Sequence, residues 1–136
     1  MAEKKKIVNV SGKRKRAIAR ATLTAGKGKI RINGQLLESF DNEIMKMKIM
    51  EPLIIAEDLS KGVNISVVVN GGGWQGQTEA SRLVIAKGLV EWNKDNSLKK
   101  NFLDYDRHLL IADVRRKEVR KPGDSKARAK RQKSYR

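Results

Sequence analysis

The stretch NISVVVNGGGWQGQTEASRLVIAKGLVEWN, residues 64–93, contains the change of pattern that decides the fold. Its first seven residues, Asn64–Asn70, are rich in β-branched side chains and predict a short buried strand. From Glu79 to Asn93 the apolar residues recur at helical spacing, which predicts an amphipathic helix. The apolar stripe of this helix contains Leu83, Ala86 and Val90. The glycine-rich segment between the two elements predicts a sharp turn from strand to helix.

The glycines of this turn have the spacing of a dinucleotide-binding loop. Gly71, Gly73 and Gly76 satisfy the pattern G-x-G-x-x-G after a strand and before a helix. However, the acidic residue about 20 positions further on is Glu91, which falls inside the predicted helix and not at the end of a second parallel strand. No Gly-Lys-Ser/Thr of a P-loop follows either. We therefore expect Gly71, Gly72, Gly73 and Gly76 to be structural, and we expect no nucleotide cofactor.

The residues that precede this stretch predict a small sheet. Lys6–Ser11 and Ala17–Ala25 alternate in the manner of strands, and Gly12–Arg16 between them reads as a hairpin tip that carries four cations. The turn Gly26–Gly28 leads into a third strand, Lys29–Ile32, which an Asn-Gly turn ends. These three strands together predict an antiparallel meander.

A helical segment separates the meander from the buried strand. Asp41 or Asn42 can cap its first turn. Pro52 lies near the middle of the apolar pattern, so the sequence predicts two short helices here and not one. The positions expected to face the core are Ile44, Met47, Ile54 and Ile55. We interpret the methionines as core filling and not as a cofactor site.

The charge of the chain is concentrated at its two ends. The 136 residues contain 31 Lys and Arg against 15 Asp and Glu, a formal net charge of +16. Residues 1–20 account for +7 of this and residues 115–136 for +9, whereas residues 21–114 balance twelve cations with twelve acids. Two cationic segments on a neutral interior predict a polyanionic partner, and nucleic acid is the first candidate.

The composition changes abruptly at Arg115. Beyond it lie eleven cations and few apolar residues, and Lys121-Pro-Gly123 interrupts any regular structure. We therefore predict a compact domain over residues 1–114, with a basic N-terminal hairpin, and an extended cationic tail over residues 115–136.

Several classes of function are excluded by what the chain lacks. It contains no cysteine, and its one histidine, His108, lies near Asp104 and Asp106 without a nucleophile or a second metal ligand. Its N-terminus has no apolar segment long enough for a signal peptide, and no apolar run approaches the roughly 18 residues of a membrane span. We expect an intracellular protein that is not an enzyme, with no metal, membrane or small-molecule substrate.

Three segments in order resemble a known family from about Val8 to Arg136. They are Gly71-Gly-Gly-Trp-Gln-Gly-Gln-Thr-Glu-Ala-Ser-Arg-Leu-Val-Ile-Ala-Lys-Gly-Leu89, Asp113-Val-Arg-Arg-Lys-Glu-Val-Arg-Lys-Pro-Gly123, and Lys126-Ala-Arg128 leading to Gln132-Lys-Ser-Tyr-Arg136. On these segments the chain resembles the family of the ninth protein of the small ribosomal subunit, in its archaeal and eukaryotic branch. Two positions depart from the pattern. Val84 replaces a usually small residue, and Tyr135 replaces the lysine common in the bacterial branch.

The resemblance implies an α/β fold of the two-layer α+β type, in which a small sheet packs against helices as in the second domain of ribosomal protein S5, with a long basic C-terminal extension. It implies a structural constituent of the small subunit, in the cytoplasm, that binds ribosomal RNA in the subunit head beside neighbouring head proteins. It also implies that the tail approaches the transfer RNA in the peptidyl site. The cations expected to contact ribosomal RNA are Lys13, Arg14, Lys15, Arg16, Arg20, Arg115, Arg116, Lys117, Arg120 and Lys121. The tail cations expected to contact transfer RNA or ribosomal RNA are Lys126, Arg128, Lys130, Arg131, Lys133 and Arg136.

Two other classes of function stay open at this point. A binder of duplex DNA would explain the charge, but the sequence shows no recognition helix, ribbon or dimer seam. A small nucleotide-dependent enzyme would explain the glycine loop, but it lacks an acid–base pair.

Overall fold

The computed structural model describes residues 6–122 and 127–128. The strands are β1 (Ile7–Arg14), β2 (Ala17–Ala25), β3 (Ile30–Ile32), β4 (Gln35–Leu36) and β5 (Val63–Asn70). The helices are α1 (Glu43–Ala56), α2 (Asp58–Lys61), α3 (Trp74–Asn93) and α4 (Asn96–Tyr105). Two 3-10 turns cover Leu37–Ser39 and Arg107–Leu109.

The five strands form one mixed sheet in the order β1-β2-β5-β3-β4. β1 with β2, β2 with β5 and β3 with β4 are antiparallel, and β3 with β5 is parallel. Helix α3 packs against β1, β2 and β5, while α1 and α4 pack beside α3. The predicted two-layer α+β fold is confirmed.

The predicted meander is wrong because β5 lies between β2 and β3. The turn after β2 is tied to the beginning of β5: Asn64 Oδ1 accepts hydrogen bonds from the backbone N–H of Lys27 at 3.0 Å and of Lys29 at 3.1 Å. A Cβ on Gly26 would lie 2.1 Å from the Asn64 side chain. The chain therefore wraps across the start of β5, and β3 pairs with the far edge of that strand.

The N-terminal hairpin forms as predicted, but its tip is shorter. β1 continues through Arg14 and pairs it with Ala17, so that only Lys15 and Arg16 form the turn. Lys15 adopts a positive φ of 53°. The second predicted turn, Asn33-Gly34, also forms, with φ values of 50° and 83° that suit a two-residue hairpin between β3 and β4.

Helix α3 begins at Trp74, five residues before its predicted start. Gly73 is the extended residue that precedes it, and the Thr78 hydroxyl donates a hydrogen bond to the Trp74 carbonyl at 2.7 Å. The predicted stripe is only part of its buried surface, because α3 has the sheet on one side and α1 and α4 on the other. Val84 is fully buried, and its Cγ1 would lie 3.0 Å from a Cβ placed on Gly12.

Helix α1 is continuous through Pro52, so the predicted division into two helices is wrong. Asn42 caps it, since its side chain accepts a hydrogen bond from the Met45 backbone N–H at 3.2 Å. The helix buries Ile49, Pro52, Leu53 and Ala56, and this packing holds the proline in place despite its missing N–H. The predicted core stripe is also wrong: Ile44, Met47 and Ile54 are exposed and Ile55 is only partly buried.

The contact between α3 and β2 is tight enough to test. Gly88 lies over Leu23, and a Cβ there would lie 2.5 Å from Leu23 Cδ1. We expect Gly88→Ala to destabilise the protein by about 1 kcal/mol in urea unfolding, because overpacking a core costs about 1–3 kcal/mol and the gain in helix propensity offsets about 1 kcal/mol. Leu23→Val added to Gly88→Ala should cost less than the sum of the single changes. Stabilisation by Gly88→Ala would contradict this packing.

Candidate nucleic-acid interface

The sheet contains no acidic residue. No strand includes Asp or Glu, and the acids of the described chain lie in helices, turns and the C-terminal segment. One face of the sheet is covered by α3, and the other carries side chains that are exposed to solvent. This second surface, which we call the open face, therefore has no negative side chain to repel a polyanion.

Three cations share the open face. The strand register places Lys13 opposite Ile18, and Arg20 opposite both Ser11 and Val68. Arg31, on β3, lies opposite Ser66 of β5. All three cations are exposed, and none forms an ion pair with a described residue. The open face thus combines unpaired positive charges with small polar side chains and with two exposed apolar side chains, Ile18 and Val68.

The glycine turn holds the hairpin tip at one end of this face. Gly71 and Gly72 have φ values of 80° and 65°, and a Cβ on Gly71 would lie 2.6 Å from the Arg16 carbonyl oxygen. A Cβ on Gly72 would lie 3.3 Å from the Ala17 nitrogen. Gly73 precedes α3, and Gly76 lies in the first turn of that helix. A Cβ on Gly76 would lie 3.6 Å from the Arg14 carbonyl oxygen. Over residues 94–122 no strand follows α3, so the turn does not open a β-α-β unit there.

Arg14 points away from the open face. Its Nε lies 2.5 Å from Glu79 Oε2 on α3, and its Nη2 lies 3.4 Å from Asp113 Oδ2. The side chain is only 15% exposed. Although Arg14 belongs to the basic run, its guanidinium connects the hairpin to α3 and to the C-terminal segment.

Arg82 organises a second group of charges beside Arg14. It forms ion pairs with Glu51 on α1 and, at 3.0 Å, with Asp106 after α4. Burial raises the pKa of Asp106, but hydrogen bonds from the His108 backbone N–H and from Arg82 outweigh it, so this pKa lies below its ordinary value. Both groups border a cleft of about 350 Å³ lined by Lys13, Arg14, Lys48, Glu51, Glu79, Arg82, Leu83, Asp106, His108, Ala112, Asp113 and Arg115.

The cleft is therefore lined by charged side chains of both signs. The described residues contain no group of three or more His, Asp or Glu side chains arranged to hold a metal ion. No described helix is both long enough and apolar enough to cross a bilayer.

The segment after α4 departs from this cleft. Arg115 Nη2 lies 2.7 Å from Asp113 Oδ2, and this hydrogen-bonded pair holds the pKa of Asp113 well below its usual range. Arg116 donates to the Asp113 carbonyl at 3.0 Å. Arg128 pairs with Glu118 at 3.0 Å. Exposed cations complete the segment at Arg116, Lys117, Arg120 and Lys121. The predicted tail positions Lys126, Lys130, Arg131, Lys133 and Arg136 lie outside the described residues.

Sequence reasoning missed part of this surface. It treated residues 21–114 as one neutral block and so overlooked Arg31 and the exposed lysines of the preceding turn, Lys27 and Lys29. A signal was present, because residues 4–37 contain eleven cations and no acid. Averaging this run with residues 38–113, in which twelve acids outnumber nine cations, concealed it.

The ion pair between Arg82 and Asp106 makes a pH-dependent contribution to stability. We expect Asp106→Asn to cost about 1 kcal/mol at pH 7, a value reduced by partial exposure. The pKa of Asp106 is lower in the folded protein than in the unfolded chain. The ionised carboxylate therefore stabilises the fold fully at a pH above its ordinary pKa, and this stabilisation is lost as the pH falls through the lower pKa of the folded state. Urea unfolding should therefore show a smaller penalty at pH 3 than at pH 7. Asp104→Asn is the control, and a penalty that grows on acidification would contradict the assignment.

Comparison with known proteins identifies the family. The model of the family described as ribosomal protein S9/S16 matches residues 12–136. The small ribosomal subunit protein uS9 of Methanothrix thermoacetophila is 50% identical over 131 residues, which cover 96% of this chain and 99% of that protein. The protein of the same name from Thermoplasma volcanium is 50% identical over 129 residues, 95% of this chain and 98% of that protein. The resemblance seen in the sequence is thereby confirmed, including its archaeal branch. The chain belongs to the ribosomal protein S9/S16 family, whose members are structural components of the ribosome and not enzymes.

Proposed function

We propose that this protein is a structural constituent of the small ribosomal subunit in the cytoplasm, where it binds ribosomal RNA of the subunit head through the open face of its sheet and the adjoining hairpin tip. The observation that carries this proposal is the separation of charge between the two layers. The acids of the folded core lie in or between the helices, whereas the charged residues of the sheet are all cations. A polyanion is attracted to one side of such a molecule and not to the other.

The residues proposed to contact RNA differ from those of the basic run alone. Lys13, Lys15, Arg16 and Arg20 are exposed on the open face or at the tip, and we add Arg31 from the same face. We assign Arg14 a different role, because Glu79 and Asp113 occupy its guanidinium. The proposed interface continues into the C-terminal segment through the exposed side chains of Arg115, Arg116, Lys117, Arg120 and Lys121.

These contacts favour the RNA backbone over its bases. Lysine and arginine neutralise phosphates and release counterions, and such contacts determine position without reading sequence. Apart from Arg115, which pairs with Asp113, these exposed cations form no ion pair with a described residue, so they can bind phosphates without breaking one. Shape and charge of the folded RNA then decide where the protein binds.

We further propose that residues 1–114 form the folded domain and residues 115–136 an extended tail that reaches the transfer RNA in the peptidyl site. The density of charge in the tail and the family membership support this proposal. The pairing of Asp113 with Arg14 and Arg115 supports this boundary, because it ties the start of the proposed tail to the domain. The cations at Lys126, Arg128, Lys130, Arg131, Lys133 and Arg136 would then follow RNA phosphates toward the tip.

The contribution of the sheet is measurable by the salt dependence of RNA binding. We expect Arg20→Gln with Arg31→Gln, and separately Lys15→Gln with Arg16→Gln, to reduce the slope of log K against log salt by up to about 0.9 for each phosphate that is no longer neutralised. The control is Lys99→Gln with Lys100→Gln, which removes the same charge from α4. Fluorescence anisotropy with fragments of small-subunit ribosomal RNA provides the measurement. An equal reduction of the slope in all three variants would show that only net charge matters.

The role of the tail is tested at its tip. Deletion of residues 133–136 removes Lys133 and Arg136, two of the eleven tail cations. We expect small subunits with this deletion to assemble normally but to bind transfer RNA in the peptidyl site more weakly, by about 1 kcal/mol, as for one charge-assisted contact. Arg136→Ala should reproduce part of this weakening in a filter-binding assay. Unchanged affinity for transfer RNA together with defective assembly would contradict the contact with transfer RNA and would show that the tail only anchors the protein to ribosomal RNA.

A further inference from the structure

Helix α1 presents an apolar stripe to solvent. Ile44, Met47 and Ile54 are 59%, 65% and 63% exposed, and Met50 between them is 36% exposed. Their spacings of three, three and four residues place them along one side of the helix, over a length of about 15 Å. Single exposed apolar side chains are common, but an aligned row of four forms a continuous surface.

This stripe does not belong to the core of the protein. The opposite side of α1 already buries Ile49, Leu53 and Ala56, and the helix packs on α3. The described part of the chain offers nothing that covers Ile44, Met47 or Ile54, which keep more than half of their surface in water. The helix is therefore apolar on two sides, of which the fold uses one.

The charges around the stripe disfavour RNA. Glu43 and Glu57 lie at its two ends, and both are exposed. Lys46 Nζ donates a hydrogen bond to the Glu38 backbone carbonyl oxygen at 3.1 Å, and Lys48 borders the cleft that contains Arg82. In a chain of charge +16 this surface is apolar with acidic ends, so phosphates would meet repulsion at both ends of the stripe.

A second copy of this chain is disfavoured for a related reason. Because both ends of the stripe are acidic, two stripes placed face to face would bring Glu43 and Glu57 against the same acids of the other copy in either the parallel or the antiparallel arrangement. A partner that complements the stripe carries apolar side chains at helical spacing and cations that reach Glu43 and Glu57.

We propose that the exposed side of α1 is the docking surface for a cationic amphipathic segment of another protein. The inference rests on the proposed function in one respect: the partner is a neighbour within the small subunit. Two classes of macromolecule would then bind opposite sides of the molecule: RNA binds the open face of the sheet, and another protein binds α1. The partner's apolar side chains bury Ile44, Met47, Met50 and Ile54, and its cations pair with the acids at both ends.

Site-specific photocrosslinking tests this surface. The full-length protein with p-benzoylphenylalanine at position 47 is assembled into small subunits, and entry into the subunit peak is measured first by sedimentation. A matched protein carries the probe at position 100 on α4. After irradiation, we expect the probe at position 47 to link to a basic, amphipathic segment of one other protein. Ile44→Glu with Ile54→Glu should lower that yield at least tenfold while entry into the subunit stays unchanged.

The outcomes separate this inference from the proposed function. Failure to enter the subunit peak would overturn the proposed function and the inference together. Normal entry with a link to RNA, to a second copy or to the chain's own tail would overturn the inference alone, as would no link at all. Equal yields from positions 47 and 100 to the same protein would also overturn it, because the contact would then not be specific to the stripe.

Discussion

The central position of β5 is the constraint on which the rest of the structure depends. This strand pairs with β2 on one edge and β3 on the other, and it turns Val63, Ile65, Val67 and Val69 toward the helices. Burying four β-branched side chains on one face stabilises the strand only if α3 covers them, by roughly 1.5–3 kcal/mol for each. The glycine turn places α3 there directly after β5, and its close approach to Arg16 and Ala17 fixes the basic hairpin at the same end of the sheet.

One consequence of this arrangement is a molecule with chemically different sides. Because the strands alternate, the residues between the buried ones form the open face, where cations, small polar groups and a few apolar side chains occur without acids. Several acids of the helical layer form ion pairs with Arg14 and Arg82. These pairs connect the hairpin, α1 and the C-terminal segment to α3. The same fold thus exposes positive charge on one side and neutralises charge on the other.

Local patterns in the sequence predicted a large part of this fold, and tertiary packing decided the rest. The hairpin of β1 and β2, the strand β5, the helix α3 and the Asn42 cap follow from alternation, β-branching, helical spacing and capping, all of which act over a few residues. The predicted meander is wrong because β5 is inserted between β2 and β3. The turn after Gly26 is held by Asn64, which is distant in the sequence, so local patterns could not reveal this insertion. The predicted core side of α1 is wrong because this helix is apolar on two sides, so spacing could not indicate which side packs on α3. For the candidate site, the basic run was evident, but the burial of Arg14 against α3 and the position of Arg31 on the open face depend on contacts between elements that are distant in the sequence.

The most direct test of the account is the reactivity of individual lysines in the free protein and in its complex with small-subunit ribosomal RNA. Acetylation followed by mass spectrometry reports on exposed lysines of both layers at once, since Lys13, Lys15 and Lys29 lie on the sheet side and Lys99 and Lys100 on α4. If the acid-free side of the sheet faces RNA, Lys13, Lys15 and Lys29 become protected in the complex, while Lys99 and Lys100 react as in the free protein. Protection of the α4 lysines with unchanged reactivity on the sheet side would contradict the account.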